Sequence, residues 1–259
     1  MNADEHSATI VVMTAGGTNP QVMINVLKKH WPDLQVIEER PESKKKILVR
    51  RAKRLGWPIA VGQLATMVAS RLGKKIAIRR TEEILGAYGL SAEIDYSLPI
   101  HHVDSVNDTE CHALLAQIKP KVILTISCRL LSKQTLAACP CPVINFHAGI
   151  NPAYRGQMGG YWSLVENDAD NFGATVHLVD AGTDTGGTIY EQRLRPQKGD
   201  FIATYPLLLT AASTERVIKA VKDILNDELV VHQQVGTTAL RFPPPIWTWV
   251  RNGLGKGIW

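Results

Sequence analysis

The hydrophobic residues of this chain fall into short β-branched runs, separated by glycine- or proline-marked turns and by stretches with helical spacing. The first run, Thr9-Ile10-Val11-Val12-Met13, leads directly into Thr14-Ala15-Gly16-Gly17-Thr18-Asn19-Pro20. Val22, Ile24, Val26 and Leu27 then recur as on one side of a helix. Strand, glycine turn and helix in that order open a Rossmann-like α/β unit. Further strands are expected at Asp33–Ile37, Tyr96–Val103, Val122–Ile126, Val143–Phe146, Gly173–Val179 and Thr188–Leu194. The run at 122–126 is apolar nearly throughout, as a strand covered on both faces of a parallel sheet must be. Helices are expected at Thr109–Ile118 and, as one long amphipathic element, at Tyr205–Leu225.

Residues 42–90 break this alternation. Ile47, Leu48 and Leu55 predict one helical stretch, and Ile59, Leu64, Met67, Val68 and Leu72 a second, with Gly56-Trp57-Pro58 between them. The expected organisation is a catalytic domain over 1–232, carrying a basic helical insertion at 42–95, and a Trp- and Pro-rich extension over 233–259. That tail should be irregular apart from a short helix around Ile246–Arg251.

Composition adds bounds. A chain of 259 residues with 45% hydrophobic and 20% charged residues is ordinary for a soluble globular protein. No apolar run reaches the roughly 18 residues of a membrane span. Met1–Thr9 is polar and Ile10–Met13 is too short for a signal-peptide core, so a cytoplasmic location is expected. Cys111, Cys128, Cys139 and Cys141 have no disulfide-framework spacing and are read as reduced thiols. His101, His102 and His112 lack partners at metal-ligand spacing, so no metal site is expected. Ser127 and Ser163 stand in no Gly-x-Ser-x-Gly elbow, which leaves a serine hydrolase unsupported.

Charge changes the picture in one place. The net charge is +5, yet twelve of the 29 Lys and Arg residues lie between Lys44 and Arg80, where there is no Asp or Glu. Outside that segment 17 basic residues face 24 acidic ones. The basicity therefore belongs to the insertion. It suits a solvated helical hairpin, an oligomer contact such as a homodimer, a module for an anionic acceptor, a membrane surface or RNA.

Three segments carry candidate chemistry: Asn145-Phe146-His147, Asn151-Pro152-Ala153-Tyr154-Arg155-Gly156, and Asp180-Ala181-Gly182-Thr183-Asp184-Thr185-Gly186-Gly187. On a strand, Asn145 and His147 project to the same face. An amide donor and an imidazole aimed at one point suit an oxygen that gains charge during acyl transfer. A carboxylate such as Asp184 could orient the imidazole and help move a proton from an attacking amine.

Taken together in this order, the stretch from about Val122 to Tyr190 resembles the catalytic core of the folate-dependent formyltransferases, the superfamily acting on glycinamide ribonucleotide, methionyl-tRNA and amino sugars. The resemblance implies a Rossmann-like formyltransferase fold with a mostly parallel central sheet. It implies Asn145, His147 and Asp184 as catalytic residues and N10-formyltetrahydrofolate as formyl donor, with no metal. It further implies a pterin lying against the main chain of Ser127, Cys128, Arg129, Leu130 and Leu131, and of Val179, Asp180, Ala181, Gly182, Thr183 and Asp184. Gly17-Thr18-Asn19 is similar to the turn that holds the acceptor's phosphate in the glycinamide ribonucleotide enzymes, and Arg155 is expected on the acceptor side as well.

The chain departs from those enzymes at Gln157-Met158-Gly159-Gly160-Tyr161-Trp162, where they carry a His-rich loop, and in the basic insertion. The expected partner is a small, phosphorylated primary amine, either an amino-sugar nucleotide or a glycinamide-ribonucleotide-like molecule; nucleic acid is not expected. A formyltetrahydrofolate hydrolase and a non-catalytic folate- or nucleotide-binding module remain the alternatives.

Overall fold

One seven-stranded sheet, in the order β3-β2-β1-β4-β5-β6-β7, organises the chain. The computed structural model describes residues 8–259 apart from 73 and 237, and not the side chains of 71–75. The polar lead-in expected at residues 1–7 and the Leu72 side chain lie outside the described part. The strands are β1 (Ile10–Thr14), β2 (Gln35–Glu39), β3 (Ile100–Val103), β4 (Val122–Thr125), β5 (Val143–His147), β6 (Gly173–Leu178) and β7 (Thr188–Arg193). Strands β1 to β5 are parallel; β6 and β7 join antiparallel at one edge. The fold is thus the mostly parallel, Rossmann-like α/β fold that the chain's pattern predicts.

Alternation along β1 divides the core. Ile10 and Val12 enter the layer beneath α1 (Thr18–Lys28), α8 (Tyr205–Ala212) and α9 (Thr214–Leu225), while Val11 and Met13 enter the layer beneath α5 (Thr109–Ile118) and α6 (Lys133–Ala138). The short helix α7 (Gly159–Val165) follows the loop after β5.

Several elements differ from expectation for local reasons. Asp33 and Leu34 belong to a turn, with the Leu34 N–H donating to the Trp31 carbonyl, so β2 starts and ends two residues later. An Asp95–Leu98 turn shortens β3 in the same way. The long helix expected at 205–225 is two helices broken at Ser213, whose φ of −104° and ψ of 1° leave the helical region. Around the break the Thr210 and Thr214 hydroxyls donate to the carbonyls of Pro206 and Ala211, a side-chain competition that weakens a continuous helix. Helix α7 went unforeseen because it opens on two glycines, poor helix formers. The tail helix α10 runs to Lys256, beyond the short helix expected.

The insertion holds three helices rather than two stretches: α2 (Lys44–Leu55), α3 (Trp57–Leu72) and α4 (Lys74–Tyr88). Helix α2 pairs with α3, α3 packs on α10, and α4 packs on α8. The Thr66 hydroxyl donates to the Pro244 carbonyl, and the Trp247 ring lies where a Cβ at Gly62 would stand, within 2.5 Å. The C-terminal segment also closes on the main domain. The Asn252 amide donates to the Tyr161 hydroxyl, the Trp162 indole donates to the Phe242 carbonyl, and the Trp249 and Trp259 rings meet edge to face.

Candidate active site

Connections from β1 run to β2 and β3 on one side, and to β4 and β5 on the other, so the crevice beyond the ends of β1 and β4 is the switch point of the sheet. The turns leaving these strands are tied together by the Ala15 N–H, which donates to the Ser127 carbonyl at 3.1 Å. Ser127 has a φ of 55° there, a left-handed turn that redirects the chain after β4.

Strand register builds the first part of the site. Thr125, Asn145 and His177 are partners across β4, β5 and β6, and so form a row on one face. The Thr125 hydroxyl donates to Asn145 Oδ1 at 2.9 Å, and Asn145 Nδ2 donates to His177 Nε2 at 3.1 Å. His177 Nδ1 lies 2.7 Å from the Leu178 carbonyl; a carbonyl only accepts, so Nδ1 carries the hydrogen and Nε2 is the acceptor. The amide of Asn145 is therefore held at both ends, with its second hydrogen unused by these two partners. Sequence reasoning missed His177. Its spacing of two from Thr175 on a strand was visible, but its neighbour across the antiparallel pair was not.

His147, two residues beyond Asn145, is buried. Its Nε2 donates to the Tyr154 carbonyl at 2.9 Å, which leaves Nδ1 as the ring nitrogen facing the site. This bond needs Gly149: a Cβ there would stand 2.6 Å from both His147 Nε2 and the Tyr154 oxygen. Thr175, the register partner of His147, fixes the same loop by donating to the Gly149 carbonyl and accepting from the Asn151 N–H.

Asp184 closes the group from the β6–β7 loop. Its Oδ1 is 3.5 Å from His177 Nε2 and its Oδ2 is 3.8 Å from His147 Nδ1. Oδ2 also accepts the Gly156 N–H at 2.8 Å. Burial alone would push this carboxyl up, but the neighbouring His147 and His177 rings and the Gly156 N–H together outweigh it and hold the group down at about 2. Asp184 has a φ of 51°, and its loop is braced by Asp180, which accepts from the Gly182 N–H and the Thr185 hydroxyl.

Arg155 is nearly buried and supports the same loop. Its Nε and Nη2 donate to the Thr183 carbonyl, and Nη1 donates to the Thr238 carbonyl. Much of the guanidinium is thus spent on holding the Asp184 loop and the tail. Gly17, Thr18 and Asn19 sit at the start of α1, with Gly17 as its N-cap. Glu38 is close by: its Oε2 lies 3.4 Å from where a Cβ on Gly16 would stand.

Segment 127–131 is pinned by a residue that sequence reasoning also missed. The buried Glu39, at the end of β2, accepts the Arg129 N–H at 2.6 Å, the Arg129 guanidinium at 3.0 Å and the Val106 N–H at 3.2 Å. Arg129 further donates to the carbonyls of Asp104 and Arg40. The Leu130 carbonyl accepts from Asn107, leaving the Leu130 side chain exposed, whereas Leu131 is buried and Cys128 half-buried. All four cysteines are free, and burial pushes their thiols up to about 11 for Cys139 and about 12 for Cys111, Cys128 and Cys141. Among the described residues no group of three or more His, Cys, Asp or Glu is placed to hold a metal ion.

Sheet order and site position define a Rossmann-like α/β protein whose functional groups gather at the switch point. Residues 8–205 match the family model for formyl transferases, and the chain belongs to the formyl transferase family. Methionyl-tRNA formyltransferase of Chlorobium chlorochromatii is 26% identical over 152 residues, which are 59% of this chain and 48% of the relative. The Kosmotoga olearia enzyme of the same name is 28% identical over 150 residues, 58% of this chain and 48% of the relative. The chain thus spans about half the length of these curated relatives. Among solved structures, glycinamide ribonucleotide transformylase 1 from Symbiobacterium toebii superposes with a TM-score of 0.57 at 19% identity, covering 88% of this chain and 94% of that one. The N-formyltransferase from Helicobacter canadensis, in complex with folinic acid and dTDP-3-aminofucose, gives 0.55 at 13% identity over 91% of this chain and 70% of that one. These likenesses establish the shared fold.

Proposed function

We propose that the chain transfers a formyl group from N10-formyltetrahydrofolate to a primary amine of a small phosphorylated acceptor. The observation that carries this reading is the placing of Asn145, His147 and Asp184 at one end of β5 and its neighbouring loop, each held by partners other than substrate. Attack of the amine nitrogen on the formyl carbon gives a tetrahedral intermediate. The second amide hydrogen of Asn145 and a proton on His147 Nδ1 are the donors for its oxyanion, preorganised so that little reorientation is needed during the reaction. The Asp184 carboxylate, with Oδ2 3.8 Å from Nδ1, orients that ring. A carboxyl held at about 2 is a weak base, so Asp184 serves chiefly as an orienting anion. Collapse of the intermediate breaks the bond to N10, which takes up a proton as tetrahydrofolate leaves, while the amine gives up one proton.

The pterin is assigned to the main chain of 127–131 and 179–184, two loops fixed by Glu39 and Arg155 respectively. The acceptor is assigned to the side of Gly17-Thr18-Asn19, where N–H groups at a helix start suit an anion. Glu38 beside Gly16 disfavours a phosphate directly on that glycine and shifts it toward Thr18 and Asn19. An amino-sugar nucleotide is the favoured acceptor; the superposable Helicobacter canadensis enzyme holds one together with a folate. A cytoplasmic location accords with four free thiols.

The test is release of tetrahydrofolate from N10-formyltetrahydrofolate by purified protein, with and without a panel of amines. Release that needs an amine supports transfer. Equal release without one assigns the hydrolase instead, and neither turnover nor folate binding would sink the enzyme reading.

A further inference from the structure

Nine of the sixteen exposed large apolar side chains among the described residues lie on α3, the start of α4 and α10. On α3, Trp57, Val61 and Val68 recur on one helical face and are 58%, 52% and 54% exposed. Ala60, Gln63 and Thr66, on other sides of the helix, are buried. Trp247, 52% exposed, lies across Gly62, and Val250 and Leu254 follow it at helical spacing on α10. Ile76 and Ile78 are exposed at the start of α4.

The helix packed against α3 is strongly basic. Lys44, Lys45, Lys46, Arg50, Lys53 and Arg54 are exposed on α2, which packs against α3. Of the acidic residues next to the segment, Glu42 pairs with Arg50 and Glu83 with both Arg79 and Arg80, while Glu82 is exposed. A cationic helical module with an aromatic and aliphatic exposed face, on a chain otherwise rich in acidic residues, has the chemistry of an interfacial element.

We propose that this face docks on an anionic lipid bilayer surface. Charge and apolar pattern together decide among occupants. A two-fold interface with a second copy would set the cationic helices against themselves. A nucleic acid would use the lysines and arginines, but has no use for Val61, Val68, Ile76 and Ile78. An anionic bilayer takes both, since headgroups attract the cations and the acyl boundary accepts the aliphatic side chains. Among the described residues no helix is long and apolar enough to cross a membrane, and the contact proposed is with the bilayer surface. The inference rests on surface chemistry alone and is independent of the reaction assigned to the site.

Co-sedimentation of the whole protein with phosphatidylglycerol-containing vesicles and with pure phosphatidylcholine vesicles tests it. At about 0.1 M salt, partition onto the anionic vesicles should be at least about tenfold stronger, and it should fall as the salt is raised. The combined Trp57→Ala, Val61→Ser and Val68→Ser variant should lose about tenfold or more in partition, with thermal unfolding unchanged because these side chains are exposed. Lys44→Gln, Lys45→Gln and Lys46→Gln together should weaken binding independently and spare the apolar stripe. Absent or equal partition onto the two vesicles, or undiminished binding by both variants, would overturn the proposal. Dimerisation or RNA binding without vesicle binding would overturn it also, and would assign the face to that partner.

Discussion

Asn145 and His177 face each other across the β5–β6 pair, with Nδ2 3.1 Å from an Nε2 that must be an acceptor because its own ring's Nδ1 is committed to the Leu178 carbonyl. The Thr125 hydroxyl fixes the other end of the same amide. The orientation of Asn145, on which its ability to donate to a developing oxyanion depends, is therefore set by three strands at once. His177 acts through Asn145 as a positioning residue.

Replacing His177 by Ala should release the Asn145 amide and lower kcat on the order of 10- to 100-fold, since misplacing a reacting group by about 1 Å costs up to about 100-fold. KM for folate and amine should change far less. His177→Gln, whose side-chain oxygen can accept from Asn145, should recover part of the rate. Steady-state kinetics on both variants reads this out; a loss confined to KM, or no rescue by Gln, would return His177 to a packing role.

Asp184→Asn should reduce the rate on the order of 100-fold or more, the usual value of a group that orients or exchanges a catalytic proton. The carboxyl also makes an acid-side prediction. Its value near 2 in the folded chain lies below the ordinary 3.8, so the ionised form stabilises the fold. That contribution is fully present above about pH 4 and is lost as pH falls through about 2; the shift corresponds to about 2 kcal/mol. Urea unfolding between pH 5 and pH 2 should show a shallower acid loss in Asp184→Asn than in the unaltered chain. Parallel acid profiles would remove this linkage.

Local chemistry made most of this site legible. Asn145 and His147 share a strand face by period alone, and the glycine-rich loop after β6 had to be a turn. What could not be read was sheet register. The parallel strands announce themselves as apolar runs, but the antiparallel return of β6 beside β5 depends on packing, and it alone brings His177 to Asn145. Glu39 was hidden for a similar reason, because a carboxylate at a strand end reads as solvated until its partners Arg129 and Val106 arrive from distant segments. Arg155 looked free for a ligand, yet the folded chain supplies two carbonyls that occupy much of its guanidinium.

Gly149→Ala should damage the site more than the fold. The added methyl would come within 2.6 Å of both His147 Nε2 and the Tyr154 oxygen, forcing their hydrogen bond apart. Overpacking of this kind costs about 1–3 kcal/mol. Activity should fall further than that stability loss implies, because the ring loses the bond that leaves Nδ1 facing Asp184. Unfolding curves and single-turnover rates on one preparation separate the two effects; a stable variant with an unchanged rate would show that the Tyr154 bond does not orient the ring.

The Glu39–Arg129 pair should be asymmetric under mutation. Glu39 is sealed, its side chain 1% exposed, whereas Arg129 is 27% exposed and still donates to the carbonyls of Asp104 and Arg40. Arg129→Met would leave a buried carboxylate with only the N–H groups of residue 129 and Val106, and removing one partner of a buried pair costs about 3–5 kcal/mol. Glu39→Gln strands no charge: the guanidinium can turn to water and its carbonyl partners, and the Gln oxygen can still accept from the residue 129 N–H. Its cost should be that of a weakened hydrogen-bond set, about 1–3 kcal/mol. Both changes loosen segment 127–131, so both should weaken folate binding, Arg129→Met more strongly. Denaturant unfolding together with folate titration gives the order, and a Glu39→Gln variant less stable than Arg129→Met would show that the hydrogen bonds, rather than the buried charge, dominate this corner of the site.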